Sequence, residues 1–380
     1  MVAVTALGPA VVYRRLAWAC CAGLALAALA LSGCSRAHGG VQRLYVYNWA
    51  DYIGRNTVAD FERRTGIDVI YDTYDSDETL EAKLMAGDAG YDIVSTSMDF
   101  FGRQIRAGIY RPLDKALLPN WKYLDPRILA IEAREDPGNR YAMPYLQHVN
   151  GFAYNVDLVR ARMPDAPVDS LDMIFKPAVI ARFADCGVSF LDSPEDVLQL
   201  ALNYLHIDPN THRPEDYRRA EQLLDAVRPY IRAFDSSEYM NGLGEREFCI
   251  SMSWSGDYAA AQARARAAGI HIHLAFTIPR EGAGASYDAL LIPASAPDPA
   301  AAHRFLNYLL EPRVIAEVTN DIHYGNDNRA ASAYVEPATL HDPAVYPPPA
   351  VLARLYMPAE ADPALERLRT RTWTRIKTGM

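Results

Sequence analysis

The chain has 380 residues, half of them hydrophobic and 22% charged, which excludes a disordered polypeptide and allows two lobes of ordinary size. Without residues 1–33, which hold two Arg and no acid, 36 basic residues stand against 47 acidic ones, a formal charge of −11. A surface that negative argues against nucleic acid, whose phosphates need basic patches, and is compatible with a cationic ligand, although acidity also serves solubility.

In chain order, Arg14 and Arg15 precede an uncharged Ala/Leu-rich run, Leu16 to Gly33, which ends in Leu31-Ser32-Gly33-Cys34. This is the layout of a bacterial lipoprotein signal, with Cys34 as the lipid acceptor. An uncleaved signal anchor is the alternative, because the apolar run is barely long enough to span a bilayer. Both place the remainder outside the cytoplasm. Ser35 to Gln42 is a short polar tether.

Arg43 to Tyr47 reads as a strand, Thr57 to Thr65 as a helix with Thr57 at its N-cap and Gly66 as its stop, and Ile67 to Tyr71 as a second strand. Asp77 to Ala86 reads as a helix stopped by Gly87, and Tyr91 to Ser95 as a third strand. Such alternation predicts an α/β fold with a parallel sheet, whose ligands sit outside the carboxyl ends of the strands. Further on, Pro194 to Leu205, Pro214 to Val227, Tyr258 to Ala268 and Ala300 to Leu310 read as helices, the last ended by Pro312. Phe248 to Ser253 reads as a buried strand, Ile270 to Phe276 alternates, and the tail closes in a basic helix.

Of five cysteines, Cys20 and Cys21 belong to the leader and Cys34 to the anchor. Cys186 and Cys249 remain as an even pair in an oxidising compartment, where a disulfide is expected; two buried free thiols are the alternative. Two Cys alone make no zinc site, and no His spacing completes one.

One pattern recurs at element ends. Trp49 stands near Asp51 and Tyr52, Trp254 near Asp257, and Tyr287 beside Asp288; Tyr324 follows the last helical region. Carboxylates can take charge-assisted hydrogen bonds from the ammonium ends of a diamine or polyamine. Aromatic faces can cover its methylenes and add a cation–π contribution of roughly 0.5–2 kcal/mol. Taken singly each pair is weak: the Trp residues could be core, and Asp257 could be the N-cap of the helix at Tyr258.

Tyr47-Asn-Trp-Ala-Asp-Tyr52, Lys83-Leu-Met-Ala-Gly87, Tyr91-Asp-Ile-Val94, Cys186-Gly-Val-Ser-Phe-Leu-Asp192, Trp254-Ser-Gly-Asp257 and Phe305-Leu-Asn-Tyr-Leu-Leu310 resemble the polyamine-binding proteins of ABC importers, the putrescine-binding branch most of all. The resemblance runs from about Arg43 to the C-terminus. It implies a two-lobed "Venus flytrap" of the type II periplasmic-binding class, with lobe I at 43–147 and 275–325 and lobe II at 148–274 and 326–380. The chain would cross between lobes near Tyr145–Phe152 and Ile270–Pro279. Carried over by position, the resemblance implies ligand contacts at Trp49, Asp51, Tyr52, Ser97, Asp196, Ser236, Trp254, Asp257, Asp288 and Tyr324, and a Cys186–Cys249 disulfide. It implies a polyamine ligand, an ABC permease as membrane partner, no cofactor or metal, and a monomer. Three positions depart from the family pattern. Ala50 replaces a common Ser, Ser286 replaces an aromatic ring, and Asp99 adds a negative charge near the mouth. A larger or more highly charged amine, or a guanidino compound, would suit such a pocket. Glu195, beside Asp196, reads only as a helix N-terminal charge.

Other classes stay open on residues alone. An enzyme would need a catalytic signature, and the chain holds no Gly-x-Ser-x-Gly, His-Glu-x-x-His or P-loop; His148, His271, His273 and His323 are scattered. A sugar or ferric-ion receptor of the same fold, or an amine sensor that feeds no transporter, would share much of the pattern.

Overall fold

Three strand–helix repeats open the fold in the computed structural model, which describes residues 41–87 and 89–379. The leader and Cys34 lie outside the described residues. Strand β1 (Arg43–Trp49) is followed by α1 (Thr57–Thr65), β2 (Asp68–Tyr74), α2 (Asp77–Met85), β3 (Ile93–Ser97) and α3 (Met98–Arg106). β1 pairs in parallel with both β2 and β3. Gly66 closes α1 at φ 72°, a left-handed turn that a residue without Cβ enters freely. The N-cap of α1 is Asn56, so Thr57 is its first helical residue and not its cap. Ser76 caps α2 by accepting from the Thr79 N–H, which places Asp77 at the start of that helix.

Strands β4 (Met143–Asn155), β5 (Val188–Phe190), β6 (Ala233–Phe234), β7 (Ile250–Trp254), β8 (Leu274–Thr277), β9 (Ala285–Leu291) and β10 (Gly325–Asn326) complete the sheet, in the order β2-β1-β3-β9-β4-β7-β5-β6 with β8 and β10 also on β4. Later helices include α4 (Pro194–Tyr204), α5 (Pro214–Val227), α6 (Tyr239–Gly244), α7 (Asp257–Ala267), α8 (Pro299–Leu309), α9 (Pro312–Ile322) and α10 (Pro363–Thr378). Pro312 therefore opens a helix as well as following one, as its missing N–H and fixed φ favour at a first turn.

Two large cores and a smaller one around Tyr47, Leu80, Val94 and Phe101 hold the described residues together. Leu44, Val46, Phe61, Phe305 and Val318 pack together in lobe I; Phe152, Leu198, Ile250 and Met252 pack together in lobe II. The long strand β4 serves both. Its Met143, Tyr145 and Leu146 enter the first core, and its Val149, Phe152 and Ala153 the second. The first half pairs with β9 and the second half with β7 and β8, all antiparallel. The other crossings differ from the expected boundaries. Leu274 and Ala285 bury in the second core and Leu290 in the first, so the chain changes lobe along β9 and not near Ile270–Pro279. Ala331 and Val335 join the first core, with Tyr346 against it, so lobe II is regained only beyond Tyr346, where Ala361, Leu365, Trp373 and Ile376 enter its core. Apolar spacing marks which face of an element is buried, not which of two cores receives it.

Cys186 and Cys249 are joined in a disulfide, their Cα atoms 5.5 Å apart, which ties the approaches to β5 and β7. The free-thiol alternative falls. Among the described residues no helix is long and apolar enough to cross a membrane.

Candidate ligand-binding site

Both lobes aim the carboxyl ends of their parallel strands at one cleft, as open α/β sheets do. From lobe I come Trp49 at the end of β1, Tyr74 at the end of β2 and Ser97 at the end of β3; from lobe II come Asp192 and Ser193 after β5, Ser236 after β6 and Trp254 at the end of β7. The cleft encloses about 130 Å³ of free volume, well beyond the ~10–15 Å³ that a single water needs. All ten residues singled out from the sequence line it, as do Ala50, Asp99 and Ser286.

Four lining carboxylates, Asp288, Asp257, Asp196 and Asp77, accept from neutral donors. Asp288, on β9 opposite Ser97 of β3, is buried and accepts from the Tyr52 hydroxyl at 2.5 Å. Asp257 is the first residue of α7, not its N-cap, which is Gly256. It accepts from the Tyr324 hydroxyl at 2.5 Å and from the Tyr239 hydroxyl. Asp196, in the first turn of α4, accepts from Asn150 Nδ2 at 2.5 Å and from the Trp254 indole at 3.2 Å. Ser97 donates to Asp77 at 2.6 Å, and Thr96 donates to the other oxygen at 2.8 Å. Asp51 stands apart. It takes a left-handed backbone (φ 56°), lies exposed at the rim, and meets Arg264 of α7 at 2.8 Å across the two lobes.

Sequence reasoning passed over several lining groups. Asp77 read only as the start of a helix, yet it is buried beneath Ser97. Glu195 is more than a helix-end charge. It pairs at 2.7 Å with Arg369, a guanidinium from the tail helix that is itself almost wholly buried, and it feels the charge of Asp99 from the other lobe. His148 and Asn150, on β4, also line the cavity. Their signal was their place on a strand that spans both lobes, which periodicity did not mark.

Burial sets the electrostatics. It pushes the Asp257 carboxyl up to about 6, against the opposing pull of the two tyrosine hydroxyls and His148. Burial raises Asp196 as well, offset by Ser193, His148, Asn150 and Trp254. Asp77 lies well above the usual carboxylate range through burial and then the charge of Asp99; Glu195 does so through burial and Asp99, with Arg369 opposing. An arriving cation favours the charged forms of these raised carboxyls, whose protons pass to water. Asn150 Oδ1 and Ser236 Oγ are buried in the lining without a protein partner, so hydrogen-bonding capacity remains for a ligand. Among the described residues no group of His, Cys, Asp and Glu is arranged to hold a metal ion.

The two large cores bridged by β4 and β9, with a polar cleft between them, define a two-lobed binding protein of the type II periplasmic class. The chain belongs to the family of bacterial extracellular solute-binding proteins, which matches residues 56–346. It is 46% identical over 338 residues to the putrescine-binding periplasmic protein PotF of Escherichia coli K12, covering 88% of this chain and 91% of that one. It is 44% identical over 338 residues to a putrescine/agmatine-binding protein of Pseudomonas aeruginosa, covering 88% and 92%. Among solved structures it is similar to a spermidine/putrescine ABC transporter protein of Listeria monocytogenes, with a TM-score of 0.80 and 26% identity over 89% of this chain and 100% of that one. These relatives are binding proteins and not enzymes, and they meet the resemblance read from the sequence.

Proposed function

We propose that the chain is an extracytoplasmic receptor, lipid-anchored through Cys34, that captures a polyamine between its lobes and delivers it to an ABC importer. One observation carries the reading. Among the described residues the cavity is lined by ten acidic side chains and by no Lys or Arg. Anions would be repelled, and a sugar would leave most of this charge unpaired. A flexible polycation offsets it. Asp196, Asp257 and Asp288 would hold ammonium groups. Trp49, Trp254 and Tyr324 would cover the methylenes. Tyr52, Ser97 and Ser236 would complete the polar contacts, and Asp51 would act at the rim. The names of the relatives support the same ligand class. The receptor would act as a monomer, without nucleic acid, and dock on a membrane permease.

Calorimetry on residues 35–380 tests this with putrescine, cadaverine, spermidine, spermine and agmatine. At least one is expected to bind at micromolar or tighter affinity, and sugars and amino acids are not. Heat from a sugar with none from any amine would end the proposal. For the anchor, Cys34→Ser is expected to move the full-length protein from the membrane fraction to the soluble one. Retention would support the uncleaved signal anchor instead.

A further inference from the structure

We infer that His148 is a resident cation at the position an incoming ammonium group must take, so that ligand capture expels a proton from the cleft. The inference rests on the polyamine reading and adds to it a proton exchange and the residue responsible.

His148 sits on β4 where the chain passes between lobes, directly across from Ser286 of β9. Cross-strand partners share a face, so the small serine leaves that face to the imidazole. The side chain is 14% exposed, and its Nδ1 lies 3.4 Å from Asp288 Oδ2. Trp254 and Tyr324 flank the ring edge-on, with centroids at 6.2 and 6.0 Å. Every element around it presents acids or neutral donors. Asp288 faces it from β9, Asp196 from α4 and Asp257 from α7; the phenols of Tyr52 and Tyr324 are already donated to Asp288 and Asp257. His148 is the one basic group among the described residues of the lining.

The same three carboxylates are the ones an ammonium end would use. An imidazolium and an ammonium cannot share them at contact distance, because like charges in a closed, poorly solvated site repel strongly. In the empty cleft the imidazolium offsets the mutual repulsion of the acids. When a dication enters, the proton leaves the imidazole for bulk water, and the neutral ring remains as a hydrogen-bonding partner. The cleft gains two charges and returns one. Burial alone would lower the imidazole, but Asp288, then Asp196 and Asp257, outweigh it and hold it above its ordinary value. The acids around the ring, with Asp288 Oδ2 at 3.4 Å, thus favour the protonated imidazole while the cleft is empty. Affinity should rise about tenfold per pH unit below the pKa of His148 in the empty cleft, then level off above it. Protonation of Asp257 adds a separate loss on the acid side, below about 6.

The test is calorimetry of residues 35–380 with putrescine, cadaverine and agmatine at pH of about 6.5, 7.5 and 8.5, in paired buffers of different protonation enthalpy. The wild type should release up to one proton per ligand at the lowest pH and close to none at the highest. H148Q should release clearly less than the wild type at the lowest pH, keeping only what the raised carboxyls such as Asp257 give up, and its affinity should change much less with pH above about 6.5. Binding without proton release by the wild type, or equal release by H148Q, would overturn the inference and leave the polyamine reading intact. No binding by any amine at any pH would remove both.

Discussion

Asp257→Asn should weaken ligand binding and, in the same molecule, strengthen the empty fold. The substitution keeps the shape and removes the charge. Asp257 is buried in the cleft wall with its oxygens fixed by Tyr324 and Tyr239. Loss of one charge-assisted hydrogen bond to an ammonium costs about 1.5–3 kcal/mol, a rise in Kd of roughly 10- to 150-fold. Stability moves the other way. Burial raises this carboxyl from 3.8 to about 6, so the folded chain holds the proton more tightly than the unfolded one. That contribution is complete below the unfolded pKa and is lost as pH rises through about 6. At about pH 8 the buried charge costs on the order of 3 kcal/mol, which Asn does not incur. Calorimetry at about pH 8 reads the first effect. Thermal unfolding of ligand-free protein at about pH 8 and pH 4 reads the second, with a Tm gain of a few degrees expected only at the higher pH. A Kd within threefold of wild type, or a Tm that falls at pH 8, would refute the reasoning.

Three further variants probe other parts. A Cβ at Gly256, at the start of α7, would press into the ring of Tyr324 from the other lobe, so Gly256→Ala should hold the lobes apart. Affinity should fall by roughly tenfold or more with unchanged far-UV circular dichroism, and small-angle scattering should show a larger radius at saturating ligand; wild-type affinity would show that the lobes need not close here. Asp99→Ser removes the carboxyl that faces Glu195 across the cleft. It should shift preference several-fold from spermidine towards putrescine, and an unchanged ratio of affinities would dismiss Asp99 from ligand selection. The disulfide closes a separation of 63 residues, for which chain entropy predicts about 4 kcal/mol. Cys186→Ser with Cys249→Ser should lower the Tm clearly, and the same Tm in the double variant would count against that role.

Local chemistry made much of this fold legible. Gly66, Gly87 and Gly269 stop helices or turn the chain in left-handed conformations beside segments that were already periodic. The long β4 was not legible, because it is buried on both sides along much of its length and carries no turn signal within it. Pro312 read as a stop, but the same residue suits a first helical turn. In the site, Trp49, Asp51, Trp254 and Asp257 stood out because ring and acid are close in sequence. Asp77, His148 and Glu195 did not, because their neighbours in the cleft come from distant segments. Their environment exists only once the two lobes face each other.

A crystal structure of residues 35–380 with the tightest-binding polyamine tests the central claim most directly. Its ammonium nitrogens should lie about 2.7–3.2 Å from oxygens of Asp196, Asp257 or Asp288, with the methylenes against Trp254 and Tyr324. A ligand seated outside this cleft, or one whose nitrogens approach none of those three carboxylates, would contradict it.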